Sequence, residues 1–159
     1  MSVGNVTQAV HFDVHGLTLV LGNNIDLGGD GSRNGTGKTT IVNALSYALY
    51  GNALYNIKKD NLVNKTNNKN MMVTVDFEMN GIDYRIERGR KPNIFKFLVN
   101  NVDNNEGITD EMQGEGRQSQ AVIEEVLGMS HTMFKHICAL NTYTEPFLSM
   151  RANDQREMI

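Results

Sequence analysis

The chain has 159 residues, of which 40% are hydrophobic and 21% charged, and a net charge of −3 at pH 7. That length suits one domain or less and is enough to bury a core. The slight negative balance excludes a protein that coats nucleic acid over its whole surface, so any such contact is local. No apolar run approaches the ~18 residues of a membrane span, and Met1-Ser2-Val3-Gly4 lacks the basic and apolar regions of a secretory leader. The single cysteine, Cys138, makes no disulfide framework. It suits a reducing, cytosolic setting and reads as a small buried hydrophobe.

Val6 to Val14 alternate loosely and predict a strand, with His15-Gly16 turning into a second strand over 17–22, ended by Gly22. Residues 23–32 are rich in Gly, Asn and Asp, and read as a surface loop inserted before the glycine-rich stretch. A helix is predicted over 38–50, because Ile41, Ala44, Leu45, Ala48 and Leu49 form one apolar stripe. Gly51 stands where a left-handed C-cap is wanted. Residues 56–70 are polar, with Lys58, Lys59, Lys65 and Lys69, and leave room for a short helix near 58–63. The lysines read as a solvated face, with phosphate contact as the alternative.

Val73, Val75, Phe77 and Met79 alternate with Thr74, Asp76 and Glu78, which predicts a half-buried strand. Asn80-Gly81 is a strong hairpin signal, and Ile82, Tyr84 and Ile86 continue the alternation on the return strand. Arg88, Gly89, Arg90, Lys91, Pro92 and Asn93 read as a corner before a third strand over 94–99. Its cations are either solvated or an anion site. A loop over 100–116 leads to a helix over 117–127, with Val122, Ile123, Val126 and Leu127 inward and Gly128 as the stop. Ser130 caps a further helix carrying Met133, Phe134 and Ile137, while His131 and His136 lie too poorly spaced to ligate together and read as structural. Ile137 to Leu140 read as a short buried strand. Asp154 with Glu157 resembles a capping box opening a helix that stops after one turn, so a longer helix is expected beyond Ile159.

The stretch around which these elements are ordered is Arg33-Asn34-Gly35-Thr36-Gly37-Lys38-Thr39-Thr40. A strand, a glycine-rich loop, Lys-Thr and a helix form the arrangement that cradles a nucleoside triphosphate. Gly35 and Gly37 carry no Cβ, so backbone N–H groups can curl around a phosphate. The helix start aims its unpaired N–H groups at the same anion. Lys38 is the candidate catalytic cation between the terminal phosphates, Thr39 offers a hydroxyl to Mg²⁺, and Thr40 reaches the phosphate nearest the sugar. The usual G-x-x-x-x-G-K-[ST] spacing fails at Ser32 and is restored when Gly22 is joined to residues 33–37. Lengthening that connection costs about 1 kcal/mol of closure entropy, at ~0.6 kcal/mol per doubling.

Asn34-Gly35-Thr36-Gly37-Lys38-Thr39-Thr40-Ile41, then Ala44-Leu45 and Ala48-Leu49-Tyr50-Gly51, resemble the N-terminal lobe of SMC-type, ABC-class ATPases of DNA repair. The likeness is greatest to the SbcC group and its branch of T-even-like phage recombination-endonuclease ATPase subunits. Met1 to Gly4, Arg88-Gly89, Lys91-Pro92-Asn93, Gly128-Met129-Ser130, Thr144 and Pro146-Phe147 carry it further. The resemblance implies an α/β P-loop NTPase fold, an ABC/SMC-type head lobe over 1–159 with an antiparallel β-meander added to it. It implies ATP and Mg²⁺ as cofactors. Its expected partners are a C-terminal ATPase lobe of the same protein, a second head in a homodimer, an SbcD-like nuclease subunit and DNA. Asn141 falls where the family places a Mg²⁺-sensing glutamine, one methylene longer. The family also has a strand before the position of Met1, which predicts an N-terminal truncation, and a coiled coil after the lobe. Two alternatives remain open. The chain is a nucleotide-binding fragment inactive without its complement, or it is another P-loop NTPase, a GTPase or a kinase. The guanine motif Asn-Lys-x-Asp is incomplete at Asn64-Lys65-Thr66-Asn67.

Overall fold

The computed structural model describes residues 7–14, 16–24, 35–103, 113–140 and 145–156. The side chains of Asp103 and residues 113–116 are not described. Its centre is an antiparallel sheet in the order β1 (Met71–Met79), β2 (Ile82–Arg90), β3 (Ile94–Val99), β4 (Val102–Asp103). The β1–β2 hairpin closes on Asn80 and Gly81, with φ of 55° and 76°. Two consecutive left-handed residues make the turn whose twist matches that of the strands, which is why Asn-Gly stands there. Register then follows: Val75 faces Ile86, which faces Phe97, and Phe77 faces Tyr84, which faces Val99. The aromatic rings stack along this face, Phe77 on Tyr84 at 5.1 Å and Tyr84 on Phe97 at 5.9 Å. The opposite face is charged, and Arg85 bridges its cross-strand neighbour Asp76 at 3.3 Å.

Helix α1 (Lys38–Tyr50) lies on the apolar face and ends at Gly51. At φ 68° that glycine donates its N–H to the Tyr47 carbonyl. Leu49, Tyr50 and Leu54 join Ile86, Phe97, Ile123 and Phe134 in the main core. Tyr47, Ala53 and Leu62 form a second cluster, with Leu62 on a 3₁₀ turn (Lys59–Leu62) where a short helix is expected. Helix α2 (Gln113–Leu127) starts four residues before its predicted boundary, buries Ile123 fully and stops at Gly128, φ 60°. Val122, expected inward, is exposed.

Three expectations are overturned. Residues 7–14 and 16–24 contain no strand, and Val10, Phe12, Leu17, Leu19 and Leu21 are exposed. A strand requires a neighbour to complete its ladder, and no described strand pairs with these segments. The predicted strand at 137–140 is instead the end of a π-helical turn (Phe134–Cys138) that continues a single turn, α3 (His131–Met133). There Ile137, Cys138 and Leu140 are exposed and only Ala139 is buried. Ser130 does cap this element, accepting from the Met133 N–H. A short helix, α4 (Ala152–Arg156), ends the described chain, with Asp154 inside its first turn and not before it. The third correction concerns the corner at 88–93. The strand alternation runs on through Arg88 and Arg90, so both belong to β2.

Arg88 consequently occupies the inward face, in the row Val73–Arg88–Phe95. A cation there needs partners from the elements stacked on the sheet. Its Nε donates to the Ala48 carbonyl at 2.6 Å, its Nη2 donates to the Gln120 side chain, and the guanidinium lies 3.9 Å over the Phe95 ring. Gln120 in turn donates to the Leu49 carbonyl and to Glu124. One arginine thus ties β2, β3, α2 and the C-terminal carbonyls of α1, where a positive charge also favours the helix dipole. Burial lowers its pKa to about 10, which leaves it charged at neutral pH. Arg90 is held by Asp60 at 2.9 Å, and Lys91 by Asn68 at 3.1 Å.

His131 is structural, as expected. Ser46 Oγ donates to the Asn52 carbonyl at 2.8 Å, so it faces His131 with a lone pair and the Nε2–H donates to it at 3.0 Å. The ring also lies 5.0 Å from that of Tyr50. Burial, with Lys135 nearby, pushes the His131 pKa down to about 4. His136 places Nδ1 2.7 Å from the Thr132 carbonyl and Nε2 3.0 Å from that of Glu145.

Replacing the planar fork by a point charge in Arg88→Lys is expected to lower unfolding free energy by about 1–3 kcal/mol in urea denaturation, the scale of one hydrogen bond from a charged donor. The folded state holds His131 below its ordinary value, so protonation favours the unfolded chain. Its contribution is complete above pH 6.5 and declines as pH falls toward 4. Urea midpoints measured between pH 7 and 5 will fall more steeply for the native protein than for His131→Gln.

Candidate functional site: the loop at the start of helix α1

Helix α1 begins on Gly37, at φ 85° and ψ 10°. Gly35, two residues earlier, is also left-handed at φ 74°. Non-glycine residues rarely adopt this conformation, so the Gly-x-Gly spacing is what lets the chain reverse and enter the helix within three residues. The N-cap glycine has no side chain to offer, no side-chain cap is found among the described residues, and the first turn carries no acidic residue. Most helices receive Ser, Thr, Asp or Asn at that place. Among the described residues, neither a capping oxygen nor a carboxylate in the first turn meets the positive end of this helix of 13 residues.

Lys38 folds back over this loop, its Nζ donating to Thr36 Oγ1 at 3.2 Å. Its ammonium therefore lies on the loop side of the helix, away from the cores that hold Leu49 and Tyr47. Gly22 packs against the same residue. A Cβ built on Gly22 would fall within the Thr36 side chain, 2.6 Å from Thr36 Cβ. The end of the segment 16–24 and the loop at 35–38 are therefore in contact, which is the adjacency that joining Gly22 to the loop requires. Only a glycine permits that approach. Asn24 lies close by, with its side-chain nitrogen 3.9 Å from where a Cβ on Gly35 would stand.

Thr39 is exposed, and Thr40 closes the turn by donating its N–H to the Gly37 carbonyl at 2.9 Å. Behind them stands a residue that sequence reasoning passed over. Asn43 is 2% exposed, donates from Nδ2 to the Thr39 carbonyl at 3.0 Å, and accepts from the Leu54 N–H at 3.0 Å. It lies off the predicted stripe of Ile41, Ala44, Leu45, Ala48 and Leu49, on the face shared with Ser46, Tyr47 and Tyr50, so the apolar pattern does not mark it as buried. The site thus brings together Gly22, Gly35, Thr36, Gly37, Lys38, Thr39 and Thr40. Arg33, Asn34, Asn141 and most of the 23–32 insertion lie outside the described residues. Arg88, Arg90 and Lys91, the other candidate anion ligands, are engaged with protein groups away from this loop. Among the described residues, no three His, Cys, Asp or Glu side chains converge as a metal site, and no helix is long and apolar enough to cross a membrane.

An anion fits this arrangement. Two glycines open the backbone, an uncapped helix start presents N–H groups, and a lysine supplies the countercharge.

A family model described as an AAA domain matches residues 1–158. Exonuclease subunit 2 of Enterobacteria phage T4 is 34% identical over 161 aligned residues, covering 100% of this chain and 26% of that protein. Exonuclease subunit 2 of Escherichia phage RB69 is 32% identical over the same span, with the same coverage. The chain spans about a quarter of the length of these relatives. The predicted resemblance to the phage branch holds over the whole chain. With a glycine-framed loop at the head of its first helix and a family match over residues 1–158, the chain belongs to the AAA-domain family and so to the P-loop NTPases.

Proposed function

We propose that this chain is the ATP-binding, N-terminal lobe of an ABC/SMC-type head in the ATPase subunit of a DNA-repair and recombination nuclease. The observation that carries the reading is Lys38 folded over the left-handed Gly35 and Gly37 at an uncapped helix start. In this reading residues 33–40 wrap the phosphate tail, with Lys38 between the terminal phosphates and Thr39 offering its hydroxyl to Mg²⁺. Asn141, at the position of the family's Mg²⁺-sensing glutamine, would be a further Mg²⁺ contact. ATP and Mg²⁺ supply the transferable phosphoryl group and its charge neutralisation. The chain's own part is to bind and orient them.

The described residues of this chain place no general base beside the loop, so turnover belongs to the assembled head. A C-terminal lobe of the same protein supplies the acidic residues, and two such heads engage across ATP. A partner nuclease of the SbcD kind acts on DNA ends under their control. The names of the relatives support a nuclease subunit that works with another. The exposed Val10, Phe12, Leu17, Leu19 and Leu21 support a covering lobe, because soluble chains seldom leave such a series of large apolar side chains in water. Residues 23–32 would then be a flap beside the nucleotide.

Lys38→Ala tests the reading. Calorimetric titration with Mg-ATP should show affinity reduced at least about tenfold, the consequence of losing one charge-assisted contact. Unfolding free energy should stay within about 0.5 kcal/mol, since the side chain packs in neither core. Unchanged ATP affinity would refute the site.

A further inference from the structure

A helix that presents its first N–H groups to a ligand cannot also have them tied by a capping side chain. Helix α1 has Gly37 at its N-cap and no acid in its first turn, and no side-chain cap is found among the described residues. The loss of a cap loosens a first turn, yet this turn carries Lys38 and Thr39. Something else has to hold it.

We propose that Asn43 is the positioning residue for the nucleotide site, holding the first turn of α1 from its carbonyl side. This rests on the nucleotide-site reading above. Asn43 stands one turn after Thr39, buried, and its amide spans two elements. The Leu54 N–H is a donor only, so the atom facing it is Oδ1, and this fixes the amide so that Nδ2 faces the Thr39 carbonyl. Leu54 is itself in the main core. The chain of contacts therefore runs from the core, through the Leu54 backbone and Asn43, to the carbonyl of the residue assigned to Mg²⁺. Ser46, three residues on, is also buried and also bonds the returning segment, at the Asn52 carbonyl, but its hydroxyl bonds Asn52 and His131 and not the first turn. The two residues thus separate general anchoring of α1 from control of its start.

The test compares Asn43→Ala, Asn43→Ser and Ser46→Ala in the 159-residue chain. Mg-ATP affinity is measured by titration calorimetry, stability by urea denaturation, and amide exchange across 37–42 by mass spectrometry. Asn43→Ala and Ser46→Ala should both lose stability. Asn43→Ala alone should weaken Mg-ATP binding, roughly three- to tenfold, the range one neutral hydrogen bond spans. It should also speed exchange at 37–42. Asn43→Ser loses the Leu54 bond equally, but a serine hydroxyl reaches the carbonyl four residues back. It should recover part of the affinity, and it keeps the comparison possible if the alanine variant does not fold.

Equal affinity losses in Asn43→Ala and Ser46→Ala would overturn the inference, as would native affinity in Asn43→Ala or no recovery in Asn43→Ser. If the native chain binds no Mg-ATP, the nucleotide-site reading itself fails. If it binds and Lys38→Ala abolishes binding while Asn43→Ala does not weaken it, only this inference fails.

Discussion

The constraint on which this structure turns is that one helix end must stay chemically unfinished. Four N–H groups at a helix start have no partner within the helix. Proteins ordinarily satisfy one with a polar side chain and favour the rest with a carboxylate. Among the described residues helix α1 has neither, and it starts on a glycine that could supply neither. The stabilisation forgone there, on the order of 1 kcal/mol, is offset elsewhere along the same helix. Asn43 bonds the first turn, Ser46 bonds the returning segment, and Gly51 closes the far end.

The sheet fixes where that open end points. The meander offers one apolar face, with Val75, Ile86 and Phe97 in a row, and α1 lays its C-terminal half on it. Arg88 adds direction to that packing. Apolar contacts alone tolerate sliding of a helix along a sheet, whereas a planar cation between Phe95, Gln120 and the Ala48 carbonyl defines one position. Because α1 is a single rod, fixing its last turn against β2 and α2 also sets the placement of its first turn, about 14 Å away at 1.5 Å per residue.

Much of this was legible in the sequence because local chemistry decides it. Asn80-Gly81 permits the tight hairpin, the alternation from Val73 fixes which side chains face inward, and Gly51 and Gly128 mark helix ends by their left-handed backbone. Reading failed where partners distant in sequence decide. Arg88 looks like a corner cation, and only its place in the row between Val73 and Phe95 shows that the alternation had not ended at Ile86. Ile137 to Leu140 have strand-forming composition, but the turn opened by Ser130 carries on through them as a π-helix. Leu17 to Leu21 have the pattern of a buried strand with no neighbour to pair with among the described residues. In the site, Gly35, Thr36, Gly37 and Lys38 were evident from spacing. The Gly22 contact with Thr36 was inferable only by supposing an insertion, and Asn43 lies off the apolar stripe, on a face that periodicity did not mark as buried.

The most direct test of the central claim is residue-resolved: backbone amide chemical shifts of residues 35–40, followed by NMR as Mg-ATP is added, beside a matched titration with AMP. The account predicts that the Gly35, Gly37, Lys38 and Thr39 amides move with Mg-ATP, that AMP leaves them in place, and that the sheet amides stay still in both. Amides that ignore Mg-ATP while those elsewhere respond, or that answer AMP equally, would contradict it.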